Sequence, residues 1–338
     1  MTPRALDGCV KCGACLRECP VLRLEGGFPG PRRLAVEGPR FNRELASLRG
    51  PLEACTTCAR CESSCPSRLP LTEAVARMRA AVPADSEGRR RMLAMVRSIG
   101  RTLAPEGCLD APRDGRTLFF PGCVGEARTL ASTQAAVDLL GRLDDVYVPE
   151  GWSCCGSPLE RIGETKEAER LRATNAPLLD AAEQVVTACP GCAVQLRRAH
   201  RIEPLHVLEH LYEVVGPRRL HLRSPRPVRV ALHSPCHLVR SIGPHAMDYA
   251  RELLSSVEGL TVVDLDEDEC CGGGGGVASA RPDLALRLAR RKTDAAARAG
   301  AELLLAPCPF CVVNLSRAGG IEIRDLVGFL ASLSEDRS

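Results

Sequence analysis

The chain has 338 residues, of which 45% are hydrophobic, so it can form two or three domains that each bury a core. A formal net charge of +3 and an aromatic content of 3% argue against a nucleic-acid partner. No apolar run approaches the roughly 18–20 residues of a membrane span, and residues 1–16 carry charges and cysteines that a signal peptide lacks. We therefore expect a cytoplasmic protein without a membrane span of its own.

The most informative feature of the composition is the set of nineteen cysteines. Because thiols stay reduced in the cytoplasm, grouped cysteines there indicate metal ligands or redox groups rather than disulfides. Eighteen fall into four groups, and these groups divide the chain. Residues 1–82 carry two compact runs of four, and residues 83–115 are predicted to be a helical linker. Residues 116–216 carry a looser set of five, which residues 227–335 repeat.

Each compact run has the form Cys-x2-Cys-x2-Cys-x3-Cys-Pro, which is typical of a cubane [4Fe–4S] site. In two-cluster ferredoxins the fourth cysteine of each run ligates the other cluster. The predicted ligands of one cubane are therefore Cys9, Cys12, Cys15 and Cys65, and those of the other are Cys55, Cys58, Cys61 and Cys19. Structural zinc favours two separated pairs of ligands, so the spacing argues against zinc here.

The gap between Cys19 and Cys55 is long for a compact β-type ferredoxin, and residues 72–82 place their apolar side chains on one helical face. This part is similar to the α-helical ferredoxin inside respiratory iron–sulfur subunits, as is the segment Gly30-Pro31-Arg32-Arg33. The similarity implies an N-terminal α-helical ferredoxin domain. In the linker, the segment from Gly88 to Arg101 is predicted to be an amphipathic helix whose arginines form a solvated face.

The two five-cysteine parts have the same predicted elements, and a linker rich in Pro and Arg, Pro217 to Pro227, separates them. Each part opens with an apolar, strand-like run that ends at a proline and a cysteine, 117–123 or 228–236. The first part then has helix 126–143, strand 146–148, helix 164–182, strand 184–187 and helix 206–215. The second part has helix 244–257, strand 261–263, helix 282–299, strand 302–305 and helix 324–333. Strands that alternate with helices predict a mainly parallel sheet, here one Rossmann-like α/β unit in each part. The overall prediction is a multi-domain α+β protein.

In each part the five cysteines come directly after strand ends, so they can converge at one edge of the sheet. The two sets are Cys123, Cys154, Cys155, Cys189 and Cys192, then Cys236, Cys270, Cys271, Cys308 and Cys311. Five thiolates exceed what one cubane or one zinc ion uses. Adjacent cysteines can share a centre only on an irregular loop, and Gly156 and the run Gly272–Gly276 allow one. No Lys-Ser/Thr follows the glycine run, which argues against a phosphate-binding loop.

At these residues the chain resembles the cysteine-rich "CCG" domain of heterodisulfide reductase catalytic subunits and their relatives. The matching segments are Pro235–Arg240, Cys270–Gly276 and Ala306–Leu315. Relatives include iron–sulfur subunits of glycolate and lactate oxidases, of anaerobic glycerol-3-phosphate dehydrogenase and of thiol:fumarate reductase. In heterodisulfide reductases each complete five-cysteine motif holds a noncubane [4Fe–4S] cluster. The two clusters face a shared cavity and split a disulfide by one-electron steps.

The resemblance implies an enzyme subunit in which two cubanes pass electrons to two noncubane clusters on the ten cysteines, where a disulfide is reduced. Both motifs are complete, which favours this function over that of the oxidase relatives. The alternative is an electron relay of a flavin-dependent 2-hydroxyacid or glycerol-3-phosphate dehydrogenase, passing electrons toward quinone. At the two five-cysteine sites, cubane [4Fe–4S] clusters or zinc are the alternatives to noncubane clusters. The implied electron donor is a flavoprotein or a membrane cytochrome b type subunit, which could hold the protein at the inner membrane face.

Other residues have weaker signals. His237 follows a predicted ligand and could donate to a cluster sulfur or a substrate thiolate, or could simply be a locally bonded loop histidine. Ser234 stands where CCG-domain relatives commonly carry an acidic residue. His206 and His210 have the spacing of a helical metal pair, but structural roles are favoured because no carboxylate completes it. Cys108 fits no group and is expected to be a plain thiol. We expect no bound flavin or nicotinamide, because no dinucleotide fingerprint is present.

Overall fold

The computed structural model describes residues 6–38, 44–83, 86–220, 222–265 and 270–333. The predictions made for residues 1–5 and 334–335 lie outside the described residues. Within them, no helix is both long enough and apolar enough to cross a bilayer.

The N-terminal part, here called the ferredoxin part (residues 6–83), contains helices and no strand in its described residues. The helices are α1 (Ala14–Arg17), α2 (Gly30–Arg32), α3 (Arg49–Ala54), α4 (Arg60–Ser63) and α5 (Leu71–Ala81), with a π-helical turn Arg33–Glu37 and a 3-10 turn Leu45–Leu48. This all-helical build agrees with an α-helical ferredoxin rather than the compact β type.

The two cysteine runs of the ferredoxin part share an unusual backbone. Lys11 and Gly13 have φ of 56° and 79°, and the equivalent Thr57 and Ala59 have φ of 51° and 60°. Left-handed conformations of this kind are costly for residues other than glycine and concentrate at functional sites. They let the first two cysteines of each run turn toward the third, which lies in the one-turn helix that follows, α1 or α4.

The linker helix α6 (Glu87–Ile99) is present as predicted, with Ser86 as its N-cap. The prediction that the arginines of the linker form a solvated face is wrong for two of them. Arg89 is 11% exposed in its side chain and pairs with Glu164 at 2.6 Å. Arg101 pairs with Glu126 at 3.3 Å and lies 3.5 Å from the centre of the Trp152 ring. Because these contacts are made with distant residues, helical periodicity alone does not reveal them.

Each five-cysteine part, here called the first and the second repeat, contains a parallel four-stranded sheet. The first sheet has the order β2-β1-β3-β4 and the second β6-β5-β7-β8, which is the same order. The strands are β1 (Thr117–Phe119), β2 (Val146–Tyr147), β3 (Gln184–Thr187), β4 (Leu205–His206), β5 (Arg223–Leu232), β6 (Glu258–Val263), β7 (Leu303–Ala306) and β8 (Glu322–Asp325). The parallel sheet predicted from strand–helix alternation is confirmed in both repeats.

The helices of the first repeat are α7 (Cys123–Arg128), α8 (Leu130–Gly141), α9 (Ser157–Arg161), α10 (Thr165–Asp180), α11 (Pro190–His200) and α12 (Val207–Glu209), which continues as a π-helix over His210–Val215. Those of the second are α13 (His245–Ser255), α14 (Val277–Ala280), α15 (Pro282–Arg298), α16 (Pro309–Ser316) and α17 (Leu326–Leu333), with a π-helical turn at Leu238–Ile242.

The structure corrects the sequence prediction in several places, and residues 206 and 324–325, which were predicted to be helical, belong to strands. The strands β4 and β8, and the helices α11 and α16 that start at Cys-Pro-x-Cys, were not predicted. β4 has only two residues, too few for an alternating pattern. In α11 and α16 the proline occupies the first turn, where its missing N–H costs nothing. The predicted linker Pro217–Pro227 contains a short 3-10 turn, Pro217–Arg219, and the start of β5; His221 lies outside the described residues.

The parts of the molecule share their cores. One buried cluster contains Val137 and Leu140 of the first repeat together with Leu253 and Leu330 of the second. Another joins Leu34 of the ferredoxin part to Val277 and Leu288 of the second repeat. Burial of this kind is worth roughly 25 cal/mol per Å² of apolar surface. The repeats and the ferredoxin part are therefore held in fixed positions, which brings their cysteines together.

Candidate iron–sulfur sites

The first predicted cubane set converges on one pocket. Cys9, Cys12, Cys15 and Cys65 all line it, although Cys65 comes from the other run. Gly13 and Arg32 also line it, so one residue of the segment Gly30–Arg33 lies at this pocket. Cys12 is exposed, which leaves one side of the site accessible to a partner protein.

The second predicted set is more deeply buried. Burial, together with the neighbouring Cys55 and Cys58, raises the pKa of the Cys19 thiol to about 12. Burial and the same neighbours also raise the pKa of Cys61. The exchange of the fourth cysteine between runs is thus compatible with the geometry of both sets. A metal must displace these protons to bind, so loading of this set should release protons.

All ten cysteines of the two repeats line a single cavity of about 550 Å³. The parallel strands explain this, because each cysteine group follows the carboxyl end of a strand. Cys123 opens α7 after β1, Cys154 and Cys155 precede α9, and Cys189 is the N-cap of α11. In the second repeat the corresponding groups are Cys236, Cys270 with Cys271, and Cys308, which is the N-cap of α16.

Thiol contacts link the cysteines within each set. In the first repeat Cys155 is hydrogen-bonded to Cys154 and Cys192, and these bonds lower its pKa to about 6. In the second repeat Cys271 bonds to Cys270 and Cys311, and its pKa is likewise lowered; the Cys311 Sγ–Cys271 Sγ distance is 3.3 Å. The second cysteine of each adjacent pair is thus the favoured thiolate, the form that binds metal.

Further contacts connect the sets to one another. Cys189 of the first repeat and Cys308 of the second are hydrogen-bonded thiols. Cys58 of the ferredoxin part is bonded to Cys270 in the same way. Residue-level reasoning did not predict either contact, since each depends on how the separate parts pack.

The glycine run places the ferredoxin part against the second repeat. A Cβ at Gly274 would lie 2.6 Å from the Thr56 carbonyl oxygen, and one at Gly275 would lie 2.5 Å from that of Cys55. Such distances are far inside van der Waals contact, so only glycine permits this approach. The run therefore serves close backbone packing beside Cys58, in agreement with the argument against a phosphate loop.

Two arginines that sequence reasoning did not identify, the buried Arg79 and the half-buried Arg161, brace the thiol-bearing loops. Arg161 donates to the Thr57 hydroxyl at 2.8 Å and to Ser157 at 3.1 Å. Arg79 donates to the carbonyl oxygens of Cys55 at 2.7 Å and of Arg161 at 2.8 Å. Cations beside a group of thiolates favour their charged form. No local sequence signal identifies these arginines, because their partners are far away in the chain.

The remaining candidates are mostly structural. His206 caps α12 and its Nε2 lies 3.1 Å from the Ala188 carbonyl oxygen, while His210 pairs with Asp144 at 3.0 Å. These contacts agree with the structural roles predicted for both. His237 lines the cavity, its Nδ1 is 3.5 Å from Cys236 Sγ, and burial lowers its pKa to about 3. Cys108 is exposed and lines neither pocket. Ser234 is half-buried.

The donor atoms fit iron–sulfur clusters. Each set consists of four or five cysteine thiols, and thiolates are the ligands that iron–sulfur clusters use. Five thiols per set exceed the four ligands of a tetrahedral zinc ion. Fold and site together define an iron–sulfur protein with a helical ferredoxin part and two cysteine-rich α/β repeats.

Comparison with known families agrees with this class. The model of the cysteine-rich domain (CCG) matches residues 117–197 and 230–316, and that of the 4Fe-4S dicluster domain matches residues 5–69. An uncharacterized iron–sulfur protein of Methanocaldococcus jannaschii is 31% identical, over 92% of this chain and 68% of that protein. The chain therefore belongs to the CCG-domain family of iron–sulfur proteins.

Relatives with a named activity point to oxidoreductase subunits. One subunit of the fumarate reductase (CoM/CoB) of Methanothermobacter marburgensis is 28% identical, over 92% of this chain and 68% of that protein. One subunit of the dihydromethanophenazine:CoB–CoM heterodisulfide reductase of Methanosarcina acetivorans is 28% identical, over 96% of this chain and 93% of that protein. Lactate utilization protein A of an Exiguobacterium species is 25% identical, over 58% of this chain and 87% of that protein.

A solved structure shares the fold. A hypothetical protein from Helicobacter pylori aligns with a TM-score of 0.61 at 10% identity, covering 92% of this chain and 70% of that one. At this identity the likeness concerns architecture alone.

Proposed function

We propose that this chain is the disulfide-reducing iron–sulfur subunit of a heterodisulfide-reductase-like complex. The observation that carries the proposal is the single cavity lined by all ten cysteines of the repeats. This cavity, of about 550 Å³, joins the two cysteine sets, so that a small molecule entering it could reach both.

The predicted ligand sets are part of the proposal. The eight cysteines of the ferredoxin part would hold two cubanes, and the ten of the repeats would hold two noncubane clusters. When bound, these clusters would supply the electrons for disulfide reduction in one-electron steps. The Cys58–Cys270 contact supports electron entry through the second repeat, and the exposed Cys12 supports docking of an electron-donating partner next to the first run. We also propose the domain boundaries 1–82, 83–115, 116–216 and 227–335.

The remaining lining suggests how a substrate is received. Apolar side chains such as Met92, Met95 and Phe310 cover part of the wall and exclude water from the thiols. Among the residues that the structure describes, six arginines line the cavity, against one carboxylate, Glu53. Arg49 and Arg91 among them are exposed. A positive entrance concentrates anionic molecules, so we propose an anionic small-molecule disulfide as substrate.

The test is reduction of a disulfide by the protein itself. Anaerobically purified protein, reduced and then freed of reductant, is mixed with glutathione disulfide, which is anionic, or with cystamine, which is cationic. Two electrons and two protons convert each disulfide to two thiols, which are counted with a thiol reagent. We expect thiol release that is faster with the anionic disulfide and is lost in a Cys308→Ser variant. If neither disulfide released thiol, the proposal would be contradicted.

A relay function is the second candidate, supported by the similarity to lactate utilization protein A over 58% of the chain. In that case the chain would pass electrons from a flavin-dependent dehydrogenase toward quinone. The same experiment separates the two functions: a relay would be oxidised by a soluble quinone analogue and would release no thiol from disulfides.

A further inference from the structure

The two repeats place different side chains at one equivalent position. In the first repeat the Phe120 N–H donates to the Val186 carbonyl oxygen at 2.7 Å, and in the second the His233 N–H donates to that of Leu305 at 2.8 Å. Val186 and Leu305 occupy matching places in the sheets, paired to Phe119 and Leu232. Each of the two residues also stands three positions before the opening cysteine of its set. Phe120 and His233 are therefore structural counterparts.

Their surroundings differ in chemistry. Phe120 packs edge-on against Trp152, with ring centres 5.3 Å apart, and gives the first set an apolar neighbour. His233 is 1% exposed, and its ring lies against the second set: a ring nitrogen and the sulfurs of Cys271 and Cys311 all lie within 4.8 Å of one another. The His233 imidazole is thus close to the Cys271 sulfur, and this proximity helps to lower the pKa of Cys271. Cys155, the counterpart of Cys271, has the matching contacts with Cys154 and Cys192, but the residue equivalent to His233 is Phe120, whose ring has no donor.

We infer that His233 is a positioning residue that donates a hydrogen bond to Cys271 and gives the second site a higher reduction potential than the first. The inference rests on the proposed function, since it requires a cluster at each repeat. Hydrogen bonds to cluster sulfurs stabilise the added negative charge of the reduced state, whereas apolar surroundings do not. The two sites are therefore inequivalent. The second, which adjoins Cys58 of the ferredoxin part, takes up an electron more readily than the first.

A matched pair of variants tests this inference. His233→Phe installs the side chain of the first repeat, and His233→Gln keeps a hydrogen-bond donor in the same place. Reduction of the full-length protein is followed by EPR at a series of potentials. We expect His233→Phe to lower the equilibrium constant for reduction of one cluster about tenfold, which lowers its reduction potential by about 59 mV for a one-electron couple. The other clusters should keep their potentials, and His233→Gln should retain most of the wild-type value.

Iron content separates the possible failures. Full iron in His233→Phe with every potential unchanged would overturn the role of His233 and leave the proposed function intact. Wild-type protein without a cluster signal from the repeats would overturn both. If His233→Phe does not fold, ¹⁴N spin-echo spectroscopy of wild-type protein decides. Weak coupling from one imidazole nitrogen, lost in His233→Gln, supports a hydrogen bond to the ligand sulfur; the strong coupling of a nitrogen bound to iron, or no coupling, contradicts it.

Discussion

Replacing Cys271 with serine should remove about four irons per chain and lower disulfide reduction by about a hundredfold or more, since even outer-shell partners of a metal site cost roughly 10–100-fold. Cys271 is buried among Cys270, Cys311 and His233, and its lowered pKa makes it the favoured thiolate of its set. A serine hydroxyl has nearly the same size but does not supply a soft anionic ligand.

Iron analysis and the thiol-release assay measure this effect. Cys108→Ser is the matched control, because Cys108 is exposed and lines neither pocket. It should leave both iron content and turnover unchanged. A Cys271→Ser protein that keeps its full iron and its turnover would show that the second five-cysteine set is not a cluster site.

Replacing Arg79 with methionine should lower the free energy of unfolding by about 3–5 kcal/mol. The Arg79 side chain is buried, at 5% exposure, and donates to the carbonyl oxygens of Leu52, Cys55 and Arg161. Methionine fills much of the same space but leaves these buried acceptors without their donor. Since Cys55 is one of the three, the variant should also lose the iron of the second cubane set more readily.

Arg77→Met is the control, because Arg77 lies on the same helix, is exposed and pairs with Glu73 at 2.7 Å. An exposed pair of this spacing contributes about 0.2–0.5 kcal/mol. Anaerobic denaturant titrations, followed by the visible absorbance of the clusters, compare the two variants. Equal shifts in the two titration midpoints would mean that Arg79 does not brace the ferredoxin part against the first repeat.

The cysteine spacing predicted much of the molecule because it constrains both chemistry and fold. A run such as Cys9-x2-Cys12-x2-Cys15 has few uses other than a cluster, and the structure brings Cys65 to it from the other run. Strand–helix alternation likewise predicted parallel sheets. It does not predict β4, because two residues do not form a periodic pattern. Nor does it predict the helices after Cys189 and Cys308, because each begins at a proline inside the Cys-Pro-x-Cys motif.

Contacts between distant parts of the chain were the features that sequence reasoning could not supply. The roles of Arg79, Arg89 and Arg161 come from partners many residues away. The meeting of Cys189 with Cys308 depends on the shared core between the repeats. The difference between the two sites at His233 becomes evident only when the two sheets are aligned, because Phe120 then occupies the equivalent position.

Anomalous diffraction at the iron edge tests most directly whether the two repeats hold iron–sulfur clusters around one cavity. In crystals grown without oxygen, we predict four iron centres: two in the ferredoxin part and two noncubane centres contacting Cys155 and Cys271. Iron in the ferredoxin part alone, with zinc or no metal among the ten cysteines, would contradict the proposal.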